Sequence, residues 1–81
     1  MSDKENKLII DIGITITKLR KKKNLSQESL AELSEIHRTY LSEVEGGKRN
    51  PTISVLNRVV EALGISMSDF FQEVDRSSKY E

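Results

Sequence analysis

Four short segments of the 81-residue chain share one grammar, and it leaves few folds open. The segments are "LSQESL" at 25–30, "IHRTYL" at 36–41, "PTISVL" at 51–56 and "ISMSDF" at 65–70. In each, an apolar residue precedes a polar one, and a second apolar residue follows after three more residues. Such a segment reads as a helix start. The polar residue is the N-cap, whose side chain accepts a bond from an otherwise orphaned backbone N–H, and the apolar pair closes a hydrophobic staple. His37 is the least usual of the four caps, and Pro51 with Leu56 is the weakest staple.

Helix stops are equally legible. Asn24 closes a first helix, Gly46-Gly47 supplies a left-handed residue after the third, and Gly64 does so after the fourth. The chain is therefore predicted to be all-α, with helices over 7–23, 27–33, 38–45, 53–63 and 67–74. The first helix competes with a strand, because Ile10, Ile12, Ile14 and Ile16 alternate with period two. Helix is the better reading: Ile9, Ile12, Ile16 and Leu19 also form a stripe, and a lone strand would have no partner to bond. Leu30 and Leu33, Leu41 and Val44, then Ile53, Leu56, Val60 and Leu63, then Phe70 and Val74 are expected to share one core. The polar ends, 1–6 and 76–81, are expected to fray.

At this length the chain is expected to be a single domain, with a core over about 7–74 and no separate ligand-sensing domain. With no cysteine and a single histidine, disulfides and thiolate metal sites are excluded, and no metal or other cofactor is expected. The apolar run "LIIDIGITI" is too short for a bilayer and lacks the form of a secretory signal, so a soluble cytoplasmic protein is expected. No nucleophile–base pattern or phosphate-binding loop suggests an enzyme, and no small-molecule ligand is expected. The 13 basic and 13 acidic side chains cancel, but unevenly. Residues 1–40 hold eight basic and six acidic groups, residues 41–81 five and seven, and "KLRKKK" at 18–23 concentrates five cations. Such a run is either a solvated helix end or a source of positive potential toward a polyanion.

Between the second and third helices lie only Ser34 to Ile36, so the two must cross steeply, and small Ala31 lets them approach. This is the logic of a helix-turn-helix spanning 27–45. At 100° per residue, Leu41 and Val44 define the buried side of the third helix. Thr39, Ser42 and Glu43 then point away, Arg38 lies at the edge, and Tyr40 and Glu45 flank. The exposed first turn offers a guanidinium, hydroxyls and the His37 imidazole, chemistry suited to base edges and phosphates.

The stretch "LSQESLAELSEIHRTYLSEVEGGKRNPTISVLNRVVEALGISMSDFF" resembles the helix-turn-helix family of phage Cro and cI repressors, the xenobiotic-response-element family. Within it, "HRTYLSEVEGGKRNP" is most similar to the controller proteins of restriction-modification systems. The resemblance covers about residues 12–71 and implies a compact five-helix bundle of the lambda-repressor-like type. It implies that Gln27 binds a phosphate and braces the recognition helix, and that Arg38, Thr39, Ser42 and Glu43 face bases. It also implies that Tyr40 lies against DNA, that Lys48, Arg49 and Asn50 hold the backbone, and that Arg20 and Glu45 form a structural ion pair. Two positions depart from the family: Glu35 stands where glycine is usual in the turn, and His37 where a Ser or Thr cap is usual. A left-handed Glu35 costs about 1 kcal/mol, unless the turn opens differently.

Blander roles stand beside several of these. Tyr40 can pack on the helix flank as well as meet DNA, Glu43 can be solvated or accept from cytosine N4, and His37 can be a cap or a phosphate neighbour. The expected function is sequence-specific binding of double-stranded DNA by a homodimeric transcriptional regulator on a palindromic operator. Ile65, Met67, Phe70 and Phe71 are expected to form the dimer interface, since they exceed what a small core hides. By family analogy, Glu32 and Glu35 could touch the polymerase sigma factor. The competing readings are an antitoxin of the same fold and a protein-interaction adaptor that reads no DNA.

Overall fold

The computed structural model describes the main chain of residues 3–79 and the side chains of residues 6–77. Among the described residues five helices follow one another: α1 (Asp3–Lys22), α2 (Gln27–Ser34), α3 (Arg38–Glu45), α4 (Ile53–Ala62) and α5 (Met67–Lys79). No strand occurs among the described residues. The isoleucine ambiguity in α1 resolves through packing: Ile9, Ile12 and Ile16 are buried, whereas Ile10 remains 44% exposed. Helical spacing puts the first three on one face, against α3 and α5.

Three of the four caps form as the grammar predicts. Ser26 Oγ accepts from the Ser29 N–H at 3.0 Å, Thr52 Oγ1 from Val55 at 3.1 Å, and Ser66 Oγ from Asp69 at 3.0 Å. His37 is the exception. It occupies the N-cap position of α3 with extended backbone, but its side chain makes no capping bond. The stop signals adopt the left-handed conformation at Asn24, Gly47 and Gly64. Glu35 does so too, with φ of 58°, so the turn between α2 and α3 is left-handed there rather than opened differently, at a cost of about 1–2 kcal/mol. Its N–H returns to the carbonyls of Ala31 and Glu32, and the Ile36 N–H reaches Ala31 O at 3.0 Å, which closes the end of α2.

Phe70, Ile16, Leu30, Leu41, Leu63 and Val60 form the centre of the core, joined by Leu56, Val59, Val44 and Val74. Two expected core members are outside it. Leu33 is 60% exposed because the buried stripe of α2 runs through Leu30, Ala31 and Ser34, and serine rather than leucine fills the last inward position. Ile53 is 73% exposed: it is the first residue of α4, whose buried side runs through Leu56, Val59 and Val60. Helix ends differ as well, since α1 begins at Asp3 and α5 runs to Lys79. Past Val74 there is neither glycine nor proline to stop α5, so polar residues expected to fray continue the helix. Residues 1–2 and 80–81 lie outside the described residues.

Candidate nucleic-acid interface

α1 and α2 together hold α3 in place, and the fastening is polar. Arg20 Nε donates to Glu45 Oε2 at 2.8 Å and Arg20 Nη2 to Oε1 at 3.0 Å, a bidentate pair joining α1 to the end of α3. The third arginine nitrogen, Nη1, donates to the Leu25 carbonyl at 2.9 Å. Gln27 Nε2 and Thr17 Oγ1 also donate to Glu45 Oε1, each at 3.0 Å. Burial alone would raise the Glu45 carboxyl. The donations from Arg20, Gln27 and Thr17, with the arginine's charge, outweigh that and hold it below the usual carboxylate range. One carboxylate thus ties three helices together. Thr17 escaped the sequence reading, although it lies three residues before Arg20 on the same face of α1.

Close approach of α1 to α3 depends on Gly13. A Cβ at that position would stand 2.4 Å from the Val44 carbonyl oxygen and 2.6 Å from that of Glu45. At the far end of α3, Gly47 has φ of 73° and lies against Ile10, and the Lys48 N–H returns to Glu43 O at 2.9 Å. From the other side, Arg58 Nη1 of α4 donates to the Glu35 carbonyl in the turn, at 3.4 Å.

Held this way, α3 buries Leu41 and Val44 and leaves Arg38, Thr39 and Ser42 exposed, with Tyr40 and Glu43 half-buried. Gln27, Arg38, Thr39, Ser42 and Glu43 line one shallow open hollow of about 210 Å³. His37 is not part of it. With Tyr40 it lines a second hollow of about 220 Å³, facing Val55 and Arg58 of α4. Lys48, Arg49 and Asn50 are exposed in the link that follows. Arg49, however, is already engaged: its Nε donates to Glu43 Oε1 at 2.9 Å, and its guanidinium carbon lies 4.9 Å from the centre of the Tyr40 ring. The surface therefore presents a guanidinium, two hydroxyls and a carboxylate from α3 and an amide from the start of α2, beside a link with two cations.

The expected dimer surface is altered by the structure. Phe70 is fully buried in the core, edge-on to Phe71 with ring centres 5.3 Å apart, and so cannot form an interface. Ile65, Met67 and Phe71 remain half-buried at the core's margin. Helical geometry separates the two phenylalanines by 100°, turning one inward and the other to the rim. No described helix is long and apolar enough to cross a membrane.

A helix-turn-helix family model matches residues 16–70. Control protein C.MunI of Mycoplasma sp is 40% identical over 72 residues, covering 88% of this chain and 97% of the relative. Control protein C.BamHI of Bacillus amyloliquefaciens is 35% identical over 65 residues, covering 79% of this chain and 80% of the relative. Among solved structures, the tetramer of the restriction-modification controller protein C.Esp1396I, in complex with its natural 35 base-pair operator, superposes with a TM-score of 0.83. It is 32% identical, and the match covers 95% of this chain and 96% of that one.

Proposed function

The chain belongs to the helix-turn-helix family of Cro/cI type, and from that premise we propose that it regulates transcription by sequence-specific binding of double-stranded DNA. The observation that carries the reading is α3. Its exposed face gathers Arg38, Thr39, Ser42 and Glu43 with Gln27 around one hollow, on a helix clamped from behind by the Glu45 hub. In this reading Arg38 and Thr39 reach base edges, Gln27 and the Lys48–Asn50 link meet phosphates, and Tyr40 and His37 flank the contact. The likeness to control proteins supports a role as a restriction-modification controller, acting in the cytoplasm as one DNA-binding domain per chain.

A single eight-residue helix reads too few base pairs to be selective, so the protein acts as a homodimer on a palindromic operator. Ile65, Met67 and Phe71 are the residues that would meet the partner copy. Phe71→Asp is expected to convert the dimer to monomer in sedimentation, and a variant as dimeric as the parent would place the interface elsewhere. Contact with a polymerase sigma factor belongs to the same proposal, supported by exposed Glu32 and Glu35 beside exposed Leu33.

Two substitutions test the division of labour on the DNA surface. On a duplex selected from a random pool, Arg38→Ala is expected to lose about 1–3 kcal/mol while hardly weakening a scrambled duplex. Lys48→Ala is expected to weaken both alike and to lower the salt slope by roughly one ion per protomer. Equal loss on both duplexes for Arg38→Ala would reduce that residue to a phosphate clamp. Failure of the parent to bind any duplex at low salt would leave the adaptor reading in its place.

A further inference from the structure

Glu43 belongs to two groups of side chains at once. It lines the hollow with Gln27, Arg38, Thr39 and Ser42, and it accepts the Arg49 Nε–H at 2.9 Å. It is thereby the residue that joins the base-facing helix to the phosphate-facing link. We propose that Glu43 makes the Arg49 phosphate contact conditional on the base beneath α3, so that Glu43 is a specificity-determining residue. This rests on the DNA-binding reading above and deepens it.

Three features lead there. First, the pair is accessible on both sides, with side-chain exposure of 49% for Arg49 and 40% for Glu43, so a phosphate oxygen can compete for the guanidinium. Second, Arg49 cannot serve both partners through the same N–H. While Nε is given to Glu43 and the guanidinium rests against Tyr40, the fork that would grip a phosphate is partly used. Third, a carboxylate on a surface facing DNA is unfavourable unless something donates to it. If Arg49 leaves for the backbone, Glu43 is left negative beside phosphates. A base amino group in the groove, such as cytosine N4–H, can take over as donor. On a sequence offering that group, Arg49 is released to a phosphate and both partners stay satisfied. On a sequence without it, either the ion pair persists and Arg49 is withheld, or Arg49 binds and Glu43 is left unpaired.

The test is a double-mutant cycle read on two probes: a duplex selected from a random pool with the parent protein, and a scrambled duplex of equal length. Glu43→Gln is expected to bind the scrambled duplex about three- to fivefold more tightly, as expected for release of an exposed ion pair. Its salt slope should steepen by roughly one ion per protomer. Affinity for the selected duplex should change less than about twofold, so discrimination falls. In an Arg49→Ala background the steepening of the salt slope should disappear, and the gain from Glu43→Gln on scrambled DNA should shrink to the relief of carboxylate–phosphate repulsion alone. A gain and a slope change undiminished without Arg49 would mean simple repulsion between Glu43 and phosphate, and would overturn the proposal. Equal tightening on both duplexes, or none on the scrambled one, would overturn it too while leaving the regulator reading intact. That reading fails separately, if the parent selects no duplex at all.

Discussion

Gly13→Ala is expected to destabilise the protein by about 2–3 kcal/mol and to lower its midpoint of thermal unfolding by roughly 8–24 °C. The sign is the informative part. In the interior of a helix, alanine is ordinarily better than glycine by about 1 kcal/mol, so a loose contact here would make the variant more stable. The new Cβ would meet the carbonyl oxygens of Val44 and Glu45 at 2.4 and 2.6 Å, closer than nonbonded atoms approach. Neither oxygen can turn aside as the tip of a side chain could, because both are backbone at the end of α3. α1 would have to retreat, pulling Arg20 away from Glu45. Thermal unfolding of the two proteins checks this, and a variant at least as stable as the parent would show that α1 and α3 are less tightly packed.

Glu45→Gln carries the other large effect, about 3 kcal/mol of lost stability at neutral pH. The carboxylate receives two N–H groups from Arg20, one from Gln27 and the Thr17 hydroxyl. An amide would oppose some of these donors with a donor of its own, and Arg20, only 9% exposed, would keep its charge without a counter-charge. The pH dependence follows from the lowered folded-state pKa of Glu45. Below the ordinary value of 4.5 the unfolded chain takes up the proton more readily than the folded one. The stabilisation is therefore fully present above that value and is lost as pH falls through the lowered one. Denaturant titrations should show the gap between parent and variant widest near neutral pH and narrowing on acidification below 4.5. A gap independent of pH would mean that the pair contributes through shape alone.

Much of the architecture was legible because helix starts are local events. Ser26, Thr52 and Ser66 cap with their own backbones, and the donor each satisfies lies three residues on, so no distant contact is needed to place them. His37 shows the limit of the same reasoning: the position is right, but an imidazole there does not make the bond. The outward residues of α3 were also legible, since Leu41 and Val44 orient a short helix almost by themselves. Leu33 and Ile53 were misplaced, and Phe70, expected both in the core and at the interface, lies in the core alone, for one shared reason. Hydropathy states which residues prefer burial, but it does not say where neighbouring helices end or how many apolar groups they cover. In α2, the inward position after Ala31 went to Ser34 because α3 and α4 pack there, not because serine prefers it.

Caps, stops and helical periodicity act within a few residues of chain, so the succession of helices, the turn between α2 and α3 and the chemistry offered to DNA are all written locally. Which of those groups are free to act depends instead on how the helices pack. Gly13 reads as a weak point in a helix until α3 is laid across it. Gln27 and Thr17 become supports of the recognition helix only through Glu45, 18 and 28 residues away. Arg49 reads as a free cation until the turn after α3 folds it back on Glu43 and Tyr40. Each depends on distances between segments that adjacency along the chain does not encode, and such distances exist only once the helices have packed.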